Sequence, residues 1–345
     1  MEQSKNVFLQ EKDELSKLIN AKANELYHSL KTFDASTLQT SDFFKNYFAD
    51  HHLGKRLIFS IQNSAHILYH SIKKSNKKLE ELNVADYGAG LGTLFMLGSM
   101  LNVKRFVYND HLAEWKNNAE LICSALKINV TAYVVGDIKN VIACANADNF
   151  VFDIIVSRNV IEHIYDLPDF YSSIHQHNAS AIVYSTTTAN YHNPATWIQH
   201  VLIQKKIEKN HYCHQRKKAI QTIQSGLSAA QIETLVSLTR GKALGDFTDA
   251  IKDFSIGKPV TEVRYLKSNT CDHETGVWVE HLLSKQAYKE IINTAGFSFE
   301  YSPGFWDTNY SNGLVNSCTR FLNKIIKLMG NKGYIISPFI NVVAS

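Results

Sequence analysis

The chain is short of the features that would settle its class quickly, and each shortage excludes something. Its five cysteines, Cys123, Cys144, Cys213, Cys271 and Cys318, are odd in number, scattered, and never in a C-x-x-C pair. That excludes a disulfide framework and a zinc ribbon, and it fits a reducing cytoplasm. Only five prolines and sixteen glycines stand in 345 residues, with no low-complexity stretch, so little of the chain is expected to be disordered. No uninterrupted apolar run approaches the roughly 20 residues of a membrane-spanning helix. The opening Met1-Glu2-Gln3-Ser4-Lys5 leads into polar sequence without the apolar core of a signal peptide.

Charge of one sign is lacking too. The net charge is +4, and the fifteen histidines add to it only on mild acidification. The basic runs Lys73 to Lys78 and Arg216 to Lys218 are short and read as solvated helix ends, so no nucleic-acid partner is expected. What is present is a globular composition, 45% apolar and 20% charged.

Two amphipathic patterns open the chain, at about Lys12 to Lys31 and Lys55 to Lys74, so residues 1–80 read as a helical extension. From Asn83 the pattern becomes short apolar runs alternating with helical ones. Strands are expected near Asn83 to Tyr87, Arg105 to Asn109, Val130 to Val135, Phe152 to Ser157 and Ala181 to Ser185. Helices are expected at Leu94 to Leu101, Ala113 to Leu126, Lys139 to Ala145 and Leu167 to His175. That order predicts a doubly wound, mostly parallel α/β sheet over 81–190. Residues 191–267 are polar and helix-prone, without a buried-strand run, and read as a helical insertion. In 268–345, a helix capped by Ser284 and ended by Gly296 precedes a strand at Phe297 to Tyr301, then a helix at Leu314 to Met329 and a strand at Tyr334 to Ala344.

The chemistry concentrates where the first strand meets the first helix, in Asp86-Tyr87-Gly88-Ala89-Gly90-Leu91-Gly92-Thr93. Glycines there permit a tight turn with positive φ and let a ligand reach the backbone near a helix N-terminus. The spacing is G-x-G-x-G, whereas the dinucleotide fingerprint G-x-G-x-x-G would need glycine where Thr93 stands. An aspartate two positions before the first glycine opposes a pyrophosphate and suits an ammonium.

This segment resembles motif I of class I (Rossmann-like) S-adenosylmethionine-dependent methyltransferases, and the likeness runs from about Asn83 to Thr187. The resemblance implies a seven-stranded sheet, with the last strand inserted antiparallel. It implies that Asp86, Tyr87, Gly88, Ala89, Gly90 and Gly92 cradle the cofactor. Asp110, 22 residues beyond Gly88, resembles the acidic residue that holds both ribose hydroxyls. Asp137, in Gly136-Asp137-Ile138, resembles the reader of the adenine amino group. Phe152 to Ile164 resembles the fourth motif, adding Ser157 and Asn159 to the cofactor set and ending in Glu162-His163.

His163 is the candidate acid-base residue, since a base assists methyl transfer to oxygen or nitrogen. The acceptor is expected to be a small molecule, held by the N-terminal helices and the insertion, where Tyr47, His51, His52, Tyr191, His192, Trp197, Tyr212 and Phe247 gather aromatic and imidazole groups. The groups His211-Tyr212-Cys213-His214 and Cys271-Asp272-His273 with His281 lack zinc-site spacing, so no metal is expected. The competing readings are a nicotinamide-dependent oxidoreductase and a non-catalytic binding protein of the methyltransferase fold.

Overall fold

A computed structural model describes residues 6–260 and 266–345. The opening Met1–Lys5 and residues 261–265 of the expected insertion lie outside the described residues. Three helices come first: α1 (Glu14–Lys31), α2 (Asp42–Phe48) and α3 (Leu57–Ser75). The alternating core follows as β1 (Asn83–Asp86), α4 (Thr93–Ser99), β2 (Arg105–Asp110), α5 (Ala113–Leu126), β3 (Ala132–Val135), α6 (Ile138–Ala147), β4 (Ile154–Arg158), α7 (Leu167–His177) and β5 (Ile182–Thr187). Then come α8 (Pro194–Ile207), α9 (Cys213–Ile223), α10 (Ala229–Leu238) and α11 (Leu244–Ser255), and finally α12 (Lys285–Thr294), β6 (Phe299–Pro303), α13 (Gly313–Met329) and β7 (Ile340–Ala344).

The seven strands form one sheet in the order β3-β2-β1-β4-β5-β7-β6. The first five run parallel, with Val84 opposite Phe106 on one side and Ile154 on the other. β7 is antiparallel to both neighbours, pairing Val183 and Phe299 with Ala344. Burial on both faces explains the continuous apolar runs of β1, β4 and β5. Alternate residues feed two cores. Val84, Tyr108, Ile154, Val156 and Tyr184 pack under α1, α3, α4 and α5, while Ala85, Val107, Ile155 and Val183 pack under α6, α7 and α12.

Local sequence starts the helices where expected. Asp13 caps α1 by accepting from the Ser16 N–H at 2.8 Å, and Ser284 caps α12 by accepting from Ala287 N–H. Helices α9 to α11 enclose a small core of their own around Ile220, Leu235, Phe247 and Ile251.

Two expectations need correction, and one helix is added. The strand expected over Tyr334 to Ala344 is confined to Ile340–Ala344, because Gly330–Ile335 coils as a 3-10 turn packed on α13; a Cβ on Gly333 would stand 2.8 Å from the Ile326 carbonyl oxygen. Helix α2 was not anticipated. Arg216, read as part of a solvated basic run, is buried: its Nη2 donates to Glu208 Oε1 at 2.5 Å and to the Val236 carbonyl at 3.2 Å. Among the described residues no helix is long and apolar enough to cross a membrane.

Candidate functional site

The turn after β1 lies at the C-terminal edge of the parallel strands, the edge at which open α/β sheets bind ligands. Its backbone is stitched to both neighbours: Tyr87 N–H donates to the Val156 carbonyl at 2.9 Å and Ala89 N–H to the Asn109 carbonyl at 2.8 Å. Gly88 and Gly90 take φ of 68° and 53°. Their reasons differ. A Cβ on Gly88 would strike the Val160 γ carbons at 2.7 Å, so the glycine serves close packing of the loop after β4. A Cβ on Gly90 would meet nothing within 4 Å, so this glycine faces open space above the turn. At Gly92 a Cβ would stand 3.1 Å from the Ala89 carbonyl oxygen and 3.4 Å from Arg158 Nη2.

Asp110 ends β2 beside that space. Its Oδ2 accepts from the Gly90 N–H at 3.1 Å and its Oδ1 from the Leu112 N–H at 3.2 Å, which holds the carboxylate toward the turn. His111 Nδ1 is 3.2 Å from Oδ1, and this contact raises the imidazole above its ordinary value. Oδ2 keeps a second lone pair for a ligand hydroxyl, and Oδ1 has another once the exposed His111 turns away.

Asp86 is 1% exposed, and neither carboxylate oxygen has a hydrogen bond of normal geometry; the Phe95 N–H approaches only weakly. Burial pushes its carboxyl well above the carboxylate range, opposed mainly by the nearby charge of Arg158. Arg158 Nη1 donates to the Ser60 carbonyl at 2.9 Å, to Ser60 Oγ at 3.0 Å and to Ser64 Oγ at 3.2 Å, tying β4 to α3 under the turn. Thr93 joins the same network, its Oγ1 lying 2.9 Å from Ser60 Oγ and 2.8 Å from Ser64 Oγ.

The remaining expected cofactor residues take varied places. Asp137 is exposed and caps α6, its Oδ1 accepting from Lys139 N–H at 2.9 Å and Asn140 N–H at 3.3 Å. Tyr87 packs its ring on Phe170 at 5.0 Å, and burial pushes its hydroxyl up to about 12. Ser157 donates to Ser185 Oγ at 2.8 Å inside the sheet. Asn159 is exposed with φ of 57°, a left-handed residue at the strand end. The helix α2 brings Tyr47 toward this region, against Trp115 at 4.8 Å and close enough to Arg158 and Asp110 to feel both charges.

A second cluster lies at the ends of β4 and β5. Glu162 and His163 follow β4, and the segment from Trp278 to His281 runs beside them: Trp278 N–H donates to the His163 carbonyl at 3.3 Å, and His281 N–H to the Glu162 carbonyl at 2.9 Å. That pairing places Glu280 against them. Ligand atoms of Glu162, His163 and Glu280 lie within 4.8 Å of one another. His163 Nδ1–H donates to the Trp278 carbonyl at 2.8 Å, leaving Nε2 with its lone pair. From α8, His200 Nε2–H donates to the Thr188 carbonyl at 3.1 Å and sets Nδ1 3.6 Å from Glu280 Oε2.

Burial pushes Glu162 up to about 7, weakly opposed by the Thr187 hydroxyl and nearby N–H groups that fall short of full hydrogen-bond geometry. Burial, and then the charge of Glu162, push Glu280 up to about 7. Glu280 and His200 were not singled out from sequence as site residues, and the groups around His211 and Cys271 do not form the cluster that does converge.

The strand order, with six strands running one way and β7 reversed between β5 and β6, is the class I methyltransferase fold. Comparison with family models and with curated proteins finds no match. Solved structures do resemble the chain. A ribosomal protein L11 methylase from Lactobacillus delbrueckii is 21% identical over 36% of this chain and 60% of its own length, with a TM-score of 0.28. Magnesium protoporphyrin IX methyltransferase from Synechocystis, with bound S-adenosylhomocysteine, is 11% identical over 88% of this chain and 92% of its own, TM-score 0.39. An S-adenosylmethionine-dependent methyltransferase from Clostridium acetobutylicum is 8% identical over 88% and 98%, TM-score 0.43.

Proposed function

We propose that the chain is an S-adenosylmethionine-dependent methyltransferase acting in the cytoplasm on a small-molecule acceptor, at oxygen, nitrogen or carbon. The observation that carries this reading is the pairing of Gly90 with Asp110. An open turn and a carboxylate held toward it by the turn's own N–H form a seat for a ribose at the ligand-binding edge of the sheet. Asp86, buried and with neither oxygen in a full hydrogen bond among the described residues, fits the ammonium of an amino-acid moiety. Thr93, buried and bonded to Ser60 and Ser64, stands where a dinucleotide fingerprint has its third glycine, which favours adenosylmethionine over a nicotinamide cofactor. The five cysteines are all unpaired, in keeping with a reducing compartment.

When bound, adenosylmethionine supplies a sulfonium methyl whose C–S electron pair returns to sulfur as the acceptor atom takes the carbon, leaving adenosylhomocysteine. The chain supplies position and proton handling. Asp110 accepts from both ribose hydroxyls, Asp86 faces the ammonium, and Asp137 stands at the loop expected to read adenine. His163, its Nδ1–H fixed on Trp278, presents Nε2 for the acceptor's proton, with Glu162 and Glu280 stabilising the imidazolium that results. Titration calorimetry with adenosylhomocysteine tests the reading: micromolar binding is expected, and no heat at millimolar ligand would overturn it.

A further inference from the structure

Two glutamates and two histidines from distant parts of the chain meet at the ends of β4 and β5, and the methyl-transfer chemistry proposed above leaves His200 without a role and needs only one of the two glutamates beside His163. Glu162 is 1% exposed, yet among the described residues neither of its oxygens makes a hydrogen bond of full geometry. Glu280 Oε2 and His200 Nδ1 are likewise buried and unpartnered in hydrogen bonds. Among the described residues no lysine or arginine forms an ion pair with either glutamate, whose only such contact is His200. Two carboxylates enclosed together with no strong cation beside them are costly, because each charge is desolvated and repelled by the other.

The histidines are arranged for a purpose that proton transfer alone does not demand. Each gives one ring N–H to a backbone carbonyl, His163 to Trp278 and His200 to Thr188; His200 thereby sets its other nitrogen 3.6 Å from Glu280 Oε2, and His163 offers a ring nitrogen within 4.8 Å of the ligand atoms of Glu162 and Glu280. Anchoring one ring nitrogen on a carbonyl so that the other is presented in a set tautomer is how imidazoles are held as metal ligands. Ligands around an ion at about 2.1 Å stand about 3 to 4 Å apart, so the 4.8 Å spread of Glu162, His163 and Glu280 closes with small side-chain rotations.

We propose that Glu162, His163 and Glu280, with His200 as a fourth ligand, bind a divalent cation of the first transition row. Mixed imidazole and carboxylate donors select Mn2+, Fe2+ or Zn2+ over Ca2+, which prefers an all-oxygen shell. The ion neutralises the two glutamates and, with His163 now a ligand rather than a base, keeps coordination positions for an oxygen of the acceptor, whose acidified hydroxyl loses its proton to solvent. That role toward the acceptor rests on the methyltransferase reading; the ion site does not.

The test uses the full-length protein freed of metal with a chelator and titrated with Mn2+, bound ion being read from loss of the free-ion electron paramagnetic resonance signal. One equivalent is expected to bind, with Zn2+ displacing it. The partly exposed Glu280→Gln is expected to weaken Mn2+ at least ~10-fold while adenosylhomocysteine still binds, which also shows the variant folded. Glu162→Gln and His163→Ala are expected to do the same. Wild-type protein that binds no Mn2+, or binds it no tighter than Glu280→Gln does, overturns the site, and the two carboxylates then simply share a proton. Adenosylhomocysteine binding without Mn2+ binding would sink the ion and leave the methyl-donor reading standing; the converse would sink that reading and leave the ion.

Discussion

Gly88 lies directly against Val160: a Cβ on the glycine would sit 2.7 Å from each of the valine's γ carbons. The loop that carries Glu162 and His163 is thereby packed on the glycine turn, so the two halves of the site share one contact. Gly88→Val is expected to abolish adenosylhomocysteine binding, because the new side chain expels the loop and also strains a backbone at φ of 68°. Val160→Ala in the same chain should recover part of the lost thermal stability. Calorimetry that finds wild-type affinity in Gly88→Val would remove the cofactor from this turn.

Gly90 separates steric from ligand effects. A Cβ there meets nothing, so Gly90→Ala carries only the left-handed backbone cost, roughly 1–2 kcal/mol. A modest drop in melting temperature is expected, with a much larger loss of adenosylhomocysteine affinity. Equal, small effects on both would mean that the open space is not the ligand's.

Asp110→Asn keeps the shape of the ribose carboxylate and removes its charge. Hydrogen bonds to a charged acceptor contribute about 1.5–3 kcal/mol, so affinity for adenosylhomocysteine should fall on the order of 10- to 100-fold. Affinity within twofold of wild type would show that Asp110 only braces the turn through Gly90 and Leu112.

Arg158 supplies the charge that faces Asp86 and ties β4 to α3 through Ser60 and Ser64. Arg158→Met should cost roughly 1–3 kcal/mol in urea unfolding, because the Ser60 carbonyl and the Ser60 and Ser64 hydroxyls lose a charged donor. Arg158→Met with Asp86→Asn should be more stable than the two losses summed. Strict additivity in that cycle would show that the two groups do not interact.

Acid should loosen the N-terminal helices. His52 is buried, its Nδ1 lacks a hydrogen-bond partner among the described residues, and burial followed by the charges of Arg158 and His51 pushes it down to about 3. The unfolded chain takes up this proton near pH 6.5, whereas the folded chain refuses it until about 3. Stability is therefore full above 6.5 and falls as pH drops between those values, by on the order of 1 kcal/mol per pH unit. Urea midpoints at pH 7.5 and 5 should converge in His52→Phe; an unchanged slope would place the imidazole in water.

Much of the architecture could be read from the amino acids because it is written locally. The strands β1, β4 and β5 are buried on both faces, so they appear as unbroken apolar runs, and α5 begins and ends where its pattern does. The turn residues Asp86 to Gly92 and Asp110 come together through one strand–helix–strand unit, which makes their spacing informative. The acidic cluster is different. His163 meets Trp278 across 115 residues, and Glu280 and His200 arrive on a loop and a helix with no periodic link to β4. Short aromatic α2 and the coiled stretch after α13 were equally opaque, since seven residues set no clear helical period and an apolar run next to Pro338 looks like a strand.

The reversed strand β7 has a consequence for how the sheet is assembled. Among the described residues β6 pairs in the sheet with β7 alone, and the outer side of β5 is closed by residues 340–344. The five parallel strands can therefore zip up in chain order through nearby contacts, while the far edge waits on a pairing that joins Val183 to Ala344 across the whole insertion. Amide exchange in β6 should report that slow last step, opening and closing together with residues 340–344 while β1 and β4 stay protected.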